Sequence, residues 1–145
     1  MTTMMTLPSD IRYVRLASLA ALKIAEIFTE CINTKMGNED FCHAFELSVS
    51  EAFTNSVLHA EPSEQENTII LSFCSNSNNL TVTVSDSNPP FAIGAPSLDI
   101  SSYPENGYGL FLIHQLMDNV SYARENGTNR VSMTKQYHMT EGNNL

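Results

Sequence analysis

Basic side chains are scarce in this sequence. Seven Lys and Arg stand against sixteen Asp and Glu, giving a formal net charge of −9 over 145 residues. Nucleic acid and anionic membrane surfaces both require a basic patch, so the deficit argues against either as a partner. Long apolar runs are also missing. No stretch is long enough to span a bilayer, and the opening "MTTMMT" lacks the basic and apolar regions of a secretory signal. Cysteine is limited to Cys31, Cys42 and Cys74, an odd number without Cys-x-x-Cys spacing. That usage fits reduced, partly buried thiols in a cytoplasmic protein. Cys42-His43 forms no ligand pair, since neighbours on a helix point in different directions and no second pair exists; His114 and His138 are isolated. Internal repeats and low-complexity linkers are absent, and the length fits one domain with a single core.

What is present is an ordinary globular composition, 42% apolar and 16% charged. The ends, residues 1–8 and 138–145, are expected to fray, leaving a domain over 9–137. Ser9-Asp10 can cap a helix running to about Cys31, and Asn38 or Asp40 a second from about Glu39 to Ala60, ended by Pro62. "NTIILSFCS" and "NLTVTVSD" read as strands joined by the turn "NSNN", the second alternating cleanly between apolar and hydroxyl residues. A polar, Pro-, Ser- and Gly-rich loop covers residues 87–109. In a compact domain such a loop is usually functional. "LFLIHQLMDNV" predicts a third helix, and "SYARENGTNRVSMTKQY" a closing hairpin that turns at Asn126-Gly127. This order predicts an α+β two-layer sandwich, with a mixed or antiparallel sheet covered on one face by helices.

Four stretches carry chemistry. In "SEAFTNSVLHA", Glu51, Asn55 and His59 are spaced to stack on one side of a helix whose other residues are mostly apolar. A solvated helix face is the bland explanation. The apolar flanks Ala52, Phe53, Val57 and Leu58 instead put Glu51 and Asn55 at the edge of a cleft. An amide oxygen suits Mg²⁺, and a carboxylate one turn away can accept a proton. Asp86, ending the second strand in "VSDSNPPF", is either a turn former or the acceptor for an adenine amino group. Gly107 and Gly109 open the third helix, where freed backbone N–H groups can face an anion, although a simple helix-start turn explains them equally. "NGT", residues 126–128, is at least a hairpin turn.

Together, Glu-x-x-x-Asn on a helix, Asp at a strand end, Gly-x-Gly-Leu opening a helix and a later Gly-Thr resemble the GHKL ATPase superfamily. Within it, "LSVSEAFTNSVLHA", "SDSNPPF", "GYGLFLIHQLMDNVSY" and "NGTNRVSMTK" resemble the small anti-sigma-factor serine kinases of bacterial partner switching, the RsbW/SpoIIAB type. The resemblance runs from the first helix to about Lys135. It implies the Bergerat-type histidine kinase-like ATPase fold and ATP bound beneath a lid at about Ala92 to Asn106. Asn55 would hold Mg²⁺ and Glu51 would be the catalytic base. Asp86 would take the adenine amino group, supported by Thr128, while Gly107 and Gly109 approach the phosphates and Leu110 also belongs to the nucleotide site. The implied activity is serine phosphorylation of a small antagonist, a STAS-domain protein, by a dimeric kinase that sequesters a sigma factor. Arg12 and Arg15 on the first helix are candidates for the partner surface.

The sequence departs from the family pattern in three places. Asn88 stands where glycine usually follows the Asp; asparagine, the best non-glycine residue at positive φ, is expected to supply the turn. Tyr108 and His114 replace frequent arginines. The lid region has no Lys or Arg, which leaves phosphate charge to Mg²⁺, backbone N–H groups and Arg124 or Arg130. Two rival readings follow: a non-catalytic module that sequesters a partner with little use of nucleotide, and a histidine-kinase ATPase fragment. For the second, Glu51 fits a base better than the amide usual in that family.

Overall fold

The computed structural model of the protein describes residues 2–32, 38–62, 66–90 and 108–138. In chain order these form β1 (Thr2–Pro8), a 3-10 turn (Ile11–Tyr13), α1 (Val14–Ile32), α2 (Glu39–Leu58), β2 (Thr68–Asn76) and β3 (Asn79–Asp86). After a segment outside the described residues come α3 (Tyr108–Leu116), β4 (Asn119–Glu125) and β5 (Thr128–Gln136). The strands make a five-stranded sheet in the order β1-β2-β3-β5-β4, antiparallel at every pairing. The predicted α+β sandwich is present, with an antiparallel rather than a mixed sheet.

Strand alternation assigns the two faces of the sheet. Ile69, Leu71 and Phe73 of β2, Leu80, Val82 and Val84 of β3, and Met133 of β5 are buried on one face. The helices cover that face with Ala17, Ala21 and Ala25 of α1 and Phe45, Val49, Ala52 and Phe53 of α2. Small residues at a four-residue spacing let α1 lie close against its neighbours. Phe41 ties the layers together, stacking on Phe28 at 5.9 Å and meeting Tyr137 edge-on at 5.3 Å. The opposite sheet face is lined with hydroxyls that pair across strands, Thr81 with Thr134 at 2.7 Å and Thr83 with Ser132 at 3.1 Å. Among the described residues, no helix is long and apolar enough to cross a membrane.

Four expectations are corrected. The N-terminal residues are not frayed but form edge strand β1, paired with β2 from Thr2↔Cys74 to Pro8↔Thr68. Only Leu7 of this strand is buried, so side-chain burial leaves no alternating signal; the backbone ladder holds it, and Pro8 sits at its end, where no partner N–H is lost. Asp10, rather than opening α1 directly, caps the 3-10 turn by accepting the Arg12 N–H at 2.9 Å. Asn119 and Val120 belong to β4, not to the third helix, which starts two residues earlier than predicted and stops at Leu116. Among the thiols, Cys42 is buried while Cys31 and Cys74 are exposed, and all three are free. Desolvation raises the Cys42 pKa above its ordinary value. Asn126 (φ 53°) and Gly127 (φ 77°) form the expected two-residue turn, with Glu125 opposite Thr128. The expected tail beyond His138 lies outside the described residues.

Candidate functional site

An open cleft of about 190 Å³ lies between α2, α3 and the ends of β3, β4 and β5. Val84, Leu110 and Ile113 supply apolar walls, while Asn55, Ser56, Asp86, Arg124, Asn129 and Arg130 add polar groups. As lined by the described residues, the volume is below the roughly 300–1,000 Å³ of whole-ligand pockets.

Asp86 organises one end of this cleft. It continues the inward phase of Leu80, Val82 and Val84, so a carboxylate occupies a core-facing position, and it is only 6% exposed. Its burial is compensated by three donors. Ser56 of α2 donates its hydroxyl to Oδ2 at 2.7 Å, while Oδ1 accepts the Asn88 backbone N–H at 3.0 Å and Asn129 Nδ2 at 2.9 Å. Asn129 stands directly opposite Asp86 in the β3–β5 register. Arg124 closes the network by donating Nη1 to Asn129 Oδ1 at 2.7 Å and to the Asn88 carbonyl at 3.0 Å.

Asn88 behaves differently from the sequence expectation. Among the described residues outside glycine, only Asn126 has positive φ, so Asn88 does not stand in for glycine by adopting a left-handed backbone. Its side chain does not line the cleft but donates Nδ2 to the Ser56 carbonyl at 2.7 Å. The amide thereby ties the segment after β3 to α2. Arg124, expected as one cation for phosphate, is committed to this network, and Arg130 lies 3.6 Å from Glu125 Oε2.

Next to Ser56 on α2 are Asn55 and, a turn earlier, Glu51. Asn55 is buried and lines the cleft, and Glu51, half-buried, lies one turn earlier without lining it. The line of polar residues that includes His59 is explained at its last member by the helix end. His59 is the C-cap, and its backbone N–H and ring Nδ1 both reach the Asn55 carbonyl, at 3.1 and 2.7 Å. A carbonyl only accepts, so Nδ1 carries the proton. Leu110 is buried on α3 against the cleft, and Gly109 is the second residue of that helix. Thr128 is half-buried at the start of β5 and does not line the cleft; its neighbour Asn129 does. Gly107 and the proposed lid lie outside the described residues. His114 stacks on Tyr122, a cleft residue, at 6.2 Å. Burial lowers its pKa, and its Nε2 has no hydrogen-bond partner among the described residues.

Ser56 and Asn129 were missed from sequence, yet both leave a trace there. Asn129 shares the inward phase of Val131 and Met133, and Ser56 follows Asn55 on a buried helix face. A polar residue in a core phase is the signal that could have found them.

Comparison with known proteins identifies the family. The family model of the histidine kinase-like ATPase domain matches residues 8–135. The chain is 33% identical over 138 residues to the serine-protein kinase RsbW of Listeria monocytogenes, covering 89% of this chain and 83% of that protein. To the serine-protein kinase RsbW of Staphylococcus epidermidis it is 32% identical over 141 residues, covering 90% and 84%. Among solved structures, that of the RsbU and RsbW domains of a Mycobacterium tuberculosis protein superposes with a TM-score of 0.66 at 15% identity. The match covers 94% of this chain and 32% of that one. The histidine kinase domain of a blue-light activated kinase from Erythrobacter litoralis gives 0.54 at 17% identity, over 90% and 61%. At such identities the structural matches speak to the fold.

Proposed function

The chain belongs to the histidine kinase-like ATPase domain family, and from that premise we propose that it is an ATP-dependent protein serine kinase of partner switching. It phosphorylates a small STAS-domain antagonist on serine and sequesters a sigma factor in the cytoplasm, acting as a homodimer. The observation that carries this reading is the meeting of Asn55 and Asp86 at one cleft, with Glu51 a helical turn from Asn55.

The residues present fit an adenine nucleotide. Asp86 accepts three hydrogen bonds from the protein, so a carboxylate with about four acceptor positions keeps one for a base amino group. Val84, Leu110 and Ile113 offer apolar surface to the faces of the base. Among the described residues no three His, Cys, Asp or Glu side chains gather to hold a metal. Mg²⁺ commonly takes few protein ligands alongside phosphate and water, so Asn55 as the single protein ligand is compatible with it. Bound there, the ion would neutralise phosphate charge. Gly107 and Gly109 would offer backbone N–H groups to the phosphates, Thr128 would support the base, and Glu51 would accept the proton from the attacking serine hydroxyl.

The first turns of α1 suit partner contact. Arg15, Leu16 and Leu19 are exposed there, on the side away from the buried alanines, and Arg12 is exposed on the preceding 3-10 turn rather than on the first helix expected from sequence. Arg12 is held by Asp10 at 2.6 Å, and this hydrogen-bonded pair lowers the Asp10 pKa to about 2.

Incubating the protein with labelled ATP and a cognate STAS-domain antagonist tests the reading; label on an antagonist serine is expected. The engagement of Arg124 at the base end favours one rival, a sequestering module without catalysis. Partner binding with no phosphotransfer would establish that rival instead.

A further inference from the structure

Asp86 is held by residues that no part of the phosphotransfer chemistry requires. Oδ1 receives two donors, the Asn88 N–H and Asn129 Nδ2, and Oδ2 receives one, the Ser56 hydroxyl. A carboxylate oxygen has about two acceptor positions, so Oδ1 is filled and Oδ2 keeps one. The Asn129 amide that fills Oδ1 has a defined orientation. On one side the Arg124 guanidinium, which can only donate, meets Asn129 Oδ1 at 2.7 Å. On the other side three acceptors face Nδ2: Asp86 Oδ1 at 2.9 Å, the Asn88 carbonyl at 2.9 Å and the Pro89 carbonyl at 3.3 Å. A flipped amide would set oxygen against all three and nitrogen against the guanidinium.

We propose that Asn129, locked by Arg124, is a specificity-determining positioning residue: with Ser56 it leaves Asp86 a single acceptor on Oδ2, which selects a base bearing an exocyclic amino group. This rests on the nucleotide reading above and assigns its base selectivity to a network rather than to the carboxylate alone. A carboxylate free to turn would meet a base, a water or a neighbouring side chain with similar ease. One fixed in place, beside Val84 and Ile113, offers a poorly solvated acceptor whose partner must arrive from one direction. A ligand lacking a donor there leaves that acceptor unpaired, and such mismatches are strongly discriminated.

The experiment is calorimetric titration of the full chain with Mg²⁺-ATP and with Mg²⁺-purine riboside triphosphate, which lacks the 6-amino group. Hydrogen bonds to charged groups predict that the unmodified protein prefers ATP by roughly 10- to 100-fold. In Asn129→Ala the preference should shrink to about threefold or less, through weaker ATP binding with the purine analogue little changed. Arg124→Met alters an exposed side chain and leaves Asn129 in place, so it serves if Asn129→Ala does not fold. It should reduce the preference in the same direction by a smaller factor. Retention of the full preference in either folded variant, or an equal loss for both ligands, overturns the proposal while leaving the nucleotide reading intact. Failure of the unmodified protein to bind either ligand overturns the nucleotide reading and the proposal with it.

Discussion

At the base end of the cleft, residues from α2, β3, β4, β5 and the segment after β3 meet through hydrogen bonds that span 30 to 43 sequence positions. The second group, Glu51 and Asn55, lies one turn apart on a single helix. The first arrangement is braced from several directions, so the protein itself fixes what can bind there. The second is a short local motif whose chemistry depends on what enters the cleft. Selectivity should therefore reside in the first group and rate in the second, and substitutions should separate the two.

The largest effect is expected at Glu51. Glu51→Ala should lower single-turnover phosphotransfer to the antagonist by on the order of 10²–10⁴, with ATP affinity nearly unchanged. An unimpaired rate would make Glu51 a structural helix residue and erase the proposed division.

A smaller effect sharpens the account of the base end. Asn88→Gly removes the 2.7 Å bond to the Ser56 carbonyl and relieves no positive φ. It should destabilise the fold by about 1–2 kcal/mol, from the lost hydrogen bond and added backbone freedom, without tightening ATP. Urea unfolding with parallel ATP titration checks both halves. A large gain in ATP affinity would instead mean that the asparagine obstructs the base pocket.

The smallest concerns His114, whose ring stacks on the cleft residue Tyr122 and whose pKa burial lowers from 6.5. Between that lowered value and 6.5 the unfolded chain binds more protons than the folded one, so stability increases with pH in this window. It should be full above pH 6.5, decline as the pH falls through the window, and level off below the folded-state value. Thermal unfolding from about pH 7 to about pH 5 should show a slope that is reduced in His114→Gln.

The same contrast explains what could be read from the sequence. Helical spacing put Glu51 and Asn55 on one side of α2, and the strand pattern put Asp86 at the end of β3, because both are local periodicities; that Asp86 continues the core phase of β3 is a finding of the structure. The hairpin at Asn126-Gly127 was equally legible. Ser56, Asn129 and the role of Arg124 depend on a β3–β5 register and an α2 packing angle that no short window contains. Asn88 was misjudged for a related reason: positive φ is a local explanation, whereas its side chain is committed to a carbonyl 32 positions away. Edge strand β1 was overlooked because a backbone ladder to β2, with little side-chain burial, leaves no apolar pattern.

The division between the two groups is tested most directly by titrating ATP and purine riboside triphosphate, each with and without Mg²⁺, into the unmodified protein and Asn55→Ala. The account predicts that Mg²⁺ strengthens binding to the unmodified protein, and that Asn55→Ala loses most of this strengthening while keeping its preference for ATP. Affinity indifferent to both Mg²⁺ and the substitution, or a preference for ATP that disappears along with the metal effect, would contradict it.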